Sequence, residues 1–258
     1  MSQKINLNAD LGESFGAWSM GDDSALLEVV GSANVACGFH AGDPLVMRRT
    51  VRRARERGVS IGAHPSFPDL QGFGRRRMDI PDDELAALLI YQIGALQAMA
   101  AVEGHAVTHV KPHGALNNMA CADTRLADVV AGAVASVSRD LILLAPAHSR
   151  LVLAGARAGL AVGLEIFADR TYRDDGQLVP RSQPGAMIHG AQASLDHVLR
   201  MLGVGGLVTV SGKVLKTEIH SICVHGDGPD ALASARRIAT GLEQAGYLPT
   251  TLPDTLQP

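Results

Sequence analysis

Cysteine, aromatic residues and net charge are all scarce in this chain of 258 residues. The three cysteines, Cys37, Cys121 and Cys223, have neither the even number of a disulfide scaffold nor the paired spacing of a zinc site. Aromatic residues make up 3% of the chain and the net charge is −3, which gives no basic surface for nucleic acid. Sparse, unpaired cysteines are typical of a reducing compartment, so we expect a cytoplasmic protein.

Targeting segments and nucleotide-binding loops are also missing from the pattern. The N-terminus enters an apolar strand at once, without the basic and apolar regions of a signal peptide. We expect no apolar run long enough to cross a membrane, and therefore no membrane partner. The stretch from Gly206 to Lys213 is one residue too long for a P-loop, and Val214 replaces the hydroxyl that would hold magnesium.

What the chain has instead is a series of short apolar runs that end on polar groups. Seven runs end in turn at Asp10, His40, His64, Lys111 to His113, His148, Asp169 with Arg170, and His225 to Asp227. Helix patterns lie between them, at about 22–30, 44–57, 81–103, 123–138, 149–158, 190–203 and 228–246. Alternating strands and helices predict a parallel sheet, whose carboxyl ends form the active site.

A closed ring of strands accounts for all of these polar ends, whereas an open sheet would use those at one switch point. We therefore predict an α/β fold in which residues 1–258 form a single seven-stranded parallel β/α barrel. Two long loops, 65–80 and 170–185, are expected to border the site. Residues 207–210 and 213–215 predict a β-hairpin on a Ser-Gly turn.

Asp10, His40 and His64 end three consecutive predicted strands and should be neighbours in a barrel. Two imidazoles and a carboxylate suit a divalent metal, but they equally suit an acid/base pair with an orienting group. The plain alternative is three unrelated loop residues. The sequence leaves the choice between a metal site and a metal-free site open.

Two further strand ends carry groups for binding and proton transfer. Lys111 suits an anionic group beside a proton-transferring His113, although a lysine can also extend to solvent. Glu165 shares one strand face with Asp169, which places it inside the barrel unless the strand faces the other way. Asp43 either caps the following helix or also reaches the mouth of the barrel. His109 is interpreted as structural.

Several stretches together resemble the LamB/YcsF family, whose members form the A subunit of the bacterial ATP-dependent 5-oxoprolinase. They are residues 7–16, 32–44, 61–76, 109–116, 165–170 and 223–227. The resemblance implies a β/α barrel related to glycoside hydrolase and deacetylase barrels. It also implies cleavage of the lactam 5-oxo-L-proline to L-glutamate with ATP hydrolysis, in a complex with subunits B and C.

The resemblance implies a ring of polar site residues as well. We expect Asp10, His40, His64, His113 and Glu165 to be catalytic. We expect the substrate to be bound by Asn8, Glu13, Asp43, Lys111, Asp169, Arg170, Arg181, His225 and Asp227. ATP would be a co-substrate, bound together with the partner subunits, and the candidate metal ligands are Asp10, His40 and His64.

Two other functions remain open from the sequence. One is a metal-dependent deacetylase or other amide hydrolase that needs neither ATP nor partners. The other is a subunit that binds a small ligand while a partner performs the chemistry.

Overall fold

Seven parallel strands close into a barrel in this computed structural model, which describes residues 3–224 and 231–257. The strands are β1 (Gln3–Leu11), β2 (Ser32–Ala36), β3 (Ser60–His64), β4 (Val107–Val110), β5 (Ile142–Pro146), β6 (Val162–Phe167), β7 (Gly206–Val208), β8 (Val214–Lys216), β9 (Ser221–Val224) and β10 (Tyr247–Thr250). Strands β1 to β6 and β9 follow one another around the ring, and pairing of β9 with β1 closes it. The predicted barrel is confirmed.

Helices alternate with the strands and cover the outside of the ring, apart from the last helix, whose Leu252 packs on Ile142 and Leu144. They are α1 (Asp23–Leu26), α2 (Pro44–Glu56), α3 (Asp82–Val102), α4 (Gly114–Ala122), α5 (Thr124–Val137), α6 (Arg150–Arg157), α7 (Ala191–Val204), α8 (Ala231–Gln244) and α9 (Leu252–Thr255). The antiparallel β7–β8 pair is the predicted hairpin. Long connections border the site at 65–80 and 170–185, as the sequence indicated.

Four elements differ from the prediction. Helix α1 ends at Leu26 and not at residue 30, and α4, β10 and α9 were not predicted. Helix α4 begins directly after His113, with Gly114 at a φ of 58°. Strand β10 lies outside the ring, beside the first half of β1, so its pairing is set by tertiary contacts.

Helix α3 is long and apolar enough to cross a membrane by length and composition, contrary to the expectation from the sequence. In the fold it packs on the barrel and against α5. Its buried face includes Leu85, Leu89, Ile93 and Leu96, at the three- and four-residue spacing of one helix face. The helix is therefore one of those that cover the ring.

The arginine-rich face of α2 holds the C-terminal end of α3. Arg48 and Arg52 both pair with the carboxylate of Glu103, and Arg55 donates to the Glu103 carbonyl oxygen at 3.1 Å. Side-chain hydrogen bonds from Arg52 and Arg48 lower the pKa of Glu103 to about 2. This cluster joins two helices of the outer layer.

We expect the Glu103→Gln variant to unfold more easily than the wild type at pH 7. Because the pKa of Glu103 is depressed in the fold, its stabilisation is present above about 4.5, the ordinary pKa of glutamate. That stabilisation is lost as the pH falls toward about 2. Urea unfolding at several pH values should show the two proteins converging in acid, whereas Glu243→Gln, at an exposed position of α8, should match the wild type throughout. A difference that does not depend on pH would contradict this.

Candidate active site and metal centre

The inside of the barrel is lined by polar side chains because β1 alternates strictly between apolar and polar residues. Ile5, Leu7 and Ala9 belong to the apolar core under the helices. Asn6, Asn8 and Asp10 occupy the alternate positions, and all three are buried. Asn6 donates to Ser32 at 2.9 Å and accepts from Ser221 at 2.6 Å, which joins β1 to strands on both sides. Buried polar side chains therefore occupy successive inner positions of β1, up to the carboxyl end of the barrel.

Asn34 links the first two strands to β4 through a histidine. Its amide donates to Asn8 Oδ1 at 2.7 Å and to Asp10 Oδ1 at 2.9 Å, while its Oδ1 accepts from His109 Nε2 at 3.0 Å. The His109 ring reaches Asn34 across β3 because Gly62 lies between them, and a Cβ there would lie 2.2 Å from the ring. Burial lowers the pKa of His109 to about 3, so the ring stays neutral.

Lys111 places a buried ammonium group at the centre of this network. Its Nζ lies 3.0 Å from Asp10 Oδ1, 3.1 Å from Glu165 Oε1 and 3.0 Å from Cys223 Sγ. Asn8 Oδ1 is a fourth acceptor, at 3.3 Å. The two carboxylates balance the charge of Lys111, so its geometry is that of an ion-pair centre and not of an anion clamp with spare donors.

Glu165 lies inside the barrel, as the face pattern predicted, and is completely buried. Burial raises the pKa of its carboxyl, while Lys111 and a 2.8 Å hydrogen bond from Asn8 act in the opposite direction. It lies beneath Lys111 and does not line the cavity described below. The structure therefore supports a positioning function for Glu165 through Lys111 more directly than contact with a substrate.

Four side chains bring potential metal-ligand atoms together at the mouth. Oxygen or nitrogen atoms of Glu13, His40, His64 and His113 all lie within 4.8 Å of one another, and all four residues are buried. The rings of His40 and His113 stack with centroids 3.8 Å apart, and Glu13 Oε1 lies 3.6 Å from His40 Nε2. Asp10 Oδ2 is 3.3 Å from His64 Nε2, so the carboxylate of the predicted trio borders the same cluster.

Hydrogen bonds to backbone carbonyl groups determine which nitrogens of His64 and His113 have lone pairs. His64 Nδ1 lies 2.7 Å from the Lys111 carbonyl oxygen, and His113 Nε2 lies 2.9 Å from that of Phe73. A carbonyl oxygen only accepts, so both of these nitrogens carry hydrogen. In neutral rings, the lone pairs of His64 Nε2 and His113 Nδ1 then face each other at 2.9 Å.

Two facing lone pairs repel unless a proton or a metal ion lies between or beside them. Burial and the neighbouring His64 hold the pKa of His113 well below its ordinary value, which disfavours a proton. Burial likewise lowers the pKa of His40, and neither of its ring nitrogens has a hydrogen-bond partner among the residues described. Neutral imidazoles anchored through carbonyl groups are the usual ligands of divalent metals, so this cluster could hold one.

Gly74 lets the 65–80 loop close over these histidines. Its φ is 64°, and a Cβ there would lie 2.8 Å from the His113 ring and 2.9 Å from His40 Cβ. The preceding residue, Phe73, supplies the carbonyl group that fixes His113, and its own φ is 54°. The loop thus orients the cluster as well as covering it.

One cavity of about 600 Å³ opens in front of the cluster. Asp10, His64, Lys111 and His113 line one side of it. Arginines supplied by the two long loops line another part of the wall, namely Arg75, Arg77, Arg170, Arg173 and Arg181. A group bound here would contact both the proton-transfer residues and a strongly cationic wall.

Not every predicted residue reaches this cavity. Asn8 lies below it, and Asp43 caps α2, where its Oδ1 accepts from the backbone amides of Leu45 and Val46. His148 is exposed and bonds to the Lys216 carbonyl oxygen, so this strand end does not contribute to the mouth. Asp169 neighbours Arg170 without lining the cavity, while His225 and Asp227 lie outside the described residues.

Comparison with known proteins agrees with this geometry. The model of the LamB/YcsF family matches residues 5–256. The chain belongs to this family. A LamB/YcsF protein of Azoarcus sp. strain BH72, named as the A subunit of 5-oxoprolinase, is 62% identical over 251 residues, which cover 97% of this chain and 98% of that protein. Another protein with the same name, from Gluconobacter oxydans strain 621H, is 50% identical over 95% of this chain and 96% of that protein.

Solved structures extend the comparison to the fold. The lactam utilization protein of Thermus thermophilus superimposes with a TM-score of 0.91 at 42% identity, covering 96% of this chain and all of that one. The catalytic domain of a peptidoglycan N-acetylglucosamine deacetylase from Eubacterium rectale has a TM-score of 0.54 at 11% identity, with 100% of this chain and 91% of that chain covered. The second likeness shows the barrel fold alone.

The structure places some of the site residues expected for this LamB/YcsF chain in other surroundings and adds further ones. Glu13, expected to bind substrate, supplies a carboxylate to the histidine cluster, and Asp10 borders that cluster. Asn34, which orients Asp10, was not selected, although the alternation in β2 places it on the inner face. Arg75 and Arg77, which line the cavity, were not selected, because nothing local indicates which way a loop folds.

We expect the Lys111→Met variant to lose about 3–5 kcal/mol of unfolding free energy, because it leaves the carboxylates of Asp10 and Glu165 buried without their cation. Urea denaturation measures the loss. The Lys4→Met variant, changed at an exposed lysine, is the matched control. Adding Glu165→Gln to Lys111→Met removes one uncompensated charge and should recover part of the loss. A Lys111→Met variant as stable as the control would contradict this.

Proposed function

We propose that this chain opens the ring of 5-oxo-L-proline by hydrolysis, as the A subunit of an ATP-dependent 5-oxoprolinase. The observation that carries the proposal is the buried cluster of Glu13, His40, His64 and His113 beside Asp10, at the edge of the cavity. Relatives matched along nearly their whole length bear the name of that subunit. The domain assignment we propose is one barrel spanning residues 1–258.

We assign a divalent metal ion to the four-residue cluster. His64 and His113 would be ligands through the nitrogens that face each other, and His40 and Glu13 would complete the set. Such an ion supplies Lewis-acid activation of a carbonyl group or of water. The trio Asp10, His40 and His64, expected from the sequence, differs from this set in its carboxylate, and the two sets predict different effects of substitution.

Asp10 is the residue best placed to move protons during the reaction. Lys111 and Asn34 bind its Oδ1, which leaves Oδ2 on the side of His64. The Lys111 charge favours the carboxylate form, the form that accepts a proton from attacking water. Ring opening needs a proton on the departing nitrogen, and Asp10 can return the same proton to it.

The substrate also has a carboxylate, and binding that carboxylate would position the lactam in the cavity. Arg170 and Arg181 line the cavity, and a guanidinium binds a carboxylate through two parallel hydrogen bonds. The Phe167 ring lines the same cavity and gives the apolar ring of the lactam a surface to pack on. These contacts would orient the lactam carbonyl carbon toward Asp10.

ATP is assigned to the partner subunits B and C, because the sequence offers no P-loop for its phosphates. A lactam is a stabilised amide, and coupling its opening to ATP overcomes the low reactivity of its carbonyl group. We place the complex in the cytoplasm, where unpaired cysteines stay reduced; Cys37, Cys121 and Cys223 are free and buried.

A second candidate function is hydrolysis of an amide by this chain alone, without ATP. Its support is that the histidine cluster, Asp10 and the cationic wall all belong to one chain. Release of product by the isolated protein without ATP would favour this second function over the first.

We expect purified protein to contain close to one divalent metal ion per chain, measured by elemental analysis. The variants His40→Ala and Glu13→Gln should lose it because each removes a ligand. His189→Ala, at an exposed histidine outside the cluster, should retain it. Asp10→Asn distinguishes the ligand sets: metal retained in Asp10→Asn and lost in Glu13→Gln supports the four-residue cluster, and the reverse supports the trio. Full activity after complete chelation would contradict both.

We expect the isolated chain to show negligible ATPase activity dependent on 5-oxoproline, and glutamate release to require ATP and subunits B and C. In the complex, His113→Ala should abolish glutamate release, while the His189→Ala complex should match the wild type. Chromatographic detection of glutamate, with and without ATP, measures glutamate release by the isolated chain and by each complex. ATP-independent release by the chain alone would favour the second function, and an unimpaired His113→Ala complex would overturn the assignment of the site.

A further inference from the structure

Four large apolar side chains at the mouth of the barrel are wholly or partly exposed. Aromatic residues make up 3% of the sequence, and its one tryptophan, Trp18, is 74% exposed. Leu45 is 77% exposed and Tyr91 is 66% exposed, and the ring of Tyr91 stacks on the half-buried Phe39 with centroids 5.7 Å apart. We call Trp18, Phe39, Leu45 and Tyr91 the apolar patch. A single exposed leucine is ordinary, whereas a group of exposed apolar side chains is typical of an interaction surface.

Hydrogen bonds hold the turns that carry the apolar patch in one arrangement. The backbones of Phe15 and Trp18 exchange two hydrogen bonds of 2.9 Å. The Gly16 amide donates to Asp43 Oδ2 at 2.8 Å, and the Leu45 amide donates to Asp43 Oδ1 at 2.8 Å. Asp43 therefore joins the turn after β1 to the start of α2. Because the backbone is fixed before a partner binds, little conformational entropy would be lost on association.

A cationic helix face continues from Leu45 along α2. Arg49 and Arg53 lie one and two turns beyond Leu45 on the same side of the helix, and both arginines are exposed. Each acts electrostatically on Asp23, and Arg49 also acts on Asp43. Both carboxylates already accept hydrogen bonds from backbone amides, so this face keeps positive charge toward solvent.

The charge beside the apolar patch decides between two occupants. A second copy docked patch to patch about a two-fold axis would bring the arginine-bearing faces of both copies together, which like-charge repulsion disfavours. A partner with acidic residues around an apolar centre would complement both the patch and the helix face. Aromatic residues and arginine are also the residue types that are enriched in protein–protein interfaces.

We propose that the apolar patch is the docking surface for a partner subunit whose own surface presents an apolar centre bordered by acidic residues. The proposal deepens the function given above and rests on it for the existence of a complex. The patch lies next to the histidine cluster, because Phe39 precedes His40 and the turn that carries Trp18 follows Glu13. A docked partner would therefore cover this side of the mouth.

The first test measures binding of the full-length chain to immobilised subunits B and C by surface plasmon resonance. Leu45→Glu places a carboxylate in the apolar centre and should weaken binding about tenfold or more. The variant should fold like the wild type, because Leu45 lies in the first turn of α2, where a carboxylate favours the helix dipole. Leu153→Glu, at an exposed leucine of α6, is the matched control and should bind like the wild type.

Further measurements on the same variants separate a changed surface from a changed fold. The unfolding free energy and the bound metal of Leu45→Glu should equal those of Leu153→Glu. Glutamate release by the Leu45→Glu complex should be low when subunits B and C are limiting and recover when they are in excess. Trp18→Ser, changed on a different turn, should weaken binding as well, so the result does not depend on one variant. Binding by Leu45→Glu as tight as that by Leu153→Glu would overturn the proposal.

The acidic border of the partner is tested at Arg49. Arg49→Glu should slow association with subunits B and C at low ionic strength, and the difference should shrink as added salt screens the charges. Arg236→Glu, at an exposed position of α8, is the matched control and should associate like the wild type. Equal association rates for the two variants at low ionic strength would contradict an acidic partner surface.

Trp18 identifies the occupant directly, because it is the one tryptophan of the chain. In protein labelled with fluorotryptophan, its single fluorine resonance should shift when subunits B and C are added and stay unchanged on dilution of the chain alone. A resonance that depends on the concentration of the chain alone would assign the apolar patch to a second copy and overturn the choice of occupant. A wild type that binds neither subunit would overturn the complex itself. Binding that survives both Leu45→Glu and Trp18→Ser would overturn the docking surface and leave the proposed function standing.

Discussion

The buried ammonium group of Lys111 is the constraint around which the barrel interior is organised. A lone charge there would be costly, and four acceptors from β1, β6 and β9 surround it: Asn8, Asp10, Glu165 and Cys223. Satisfying Lys111 fixes Asp10 with one oxygen turned inward and the other on the side of His64. The geometry of the reactive face thus follows from the neutralisation of a charge in the core.

In this interior, hydrogen bonds between polar side chains take the place of apolar packing, and they specify the register of the strands. Asn6, Asn8 and Asn34 form hydrogen bonds to side chains on neighbouring strands, so a slip of one residue in register would leave several buried groups unpaired. The same reasoning makes Gly62 necessary, because the ring of His109 occupies the space of a side chain at that position. Polar barrels of this kind depend on complete satisfaction of their hydrogen bonds, and the main apolar core lies between the strands and the outer helices.

The ring of strands could be predicted because its signal is local. Each apolar run ends abruptly, and the alternation from Ile5 to Asp10 predicts which side chains face the inside of the barrel. The composition of the cluster could not be predicted in the same way. Glu13 lies three residues beyond the strand end at Asp10, and it joins His113 through loop geometry that no periodicity reports. The cationic wall has the same origin, since Arg75 and Arg181 come from loops whose paths are set by tertiary contacts.

The two halves of the cavity support each other electrostatically. Burial is the main reason that His40 and His113 have lowered pKa values, and the positive charge of Arg75 acts in the same direction on both. Neutral imidazole is the form that coordinates a cation, so this positive charge helps to preserve the lone pairs of the cluster. Asp10 acts against this by favouring protonated rings, and Lys111 offsets part of that influence by pairing with it. Arg75 therefore reinforces the effect of burial, which is the main cause, in keeping His40 and His113 in the neutral state that the proposed chemistry requires.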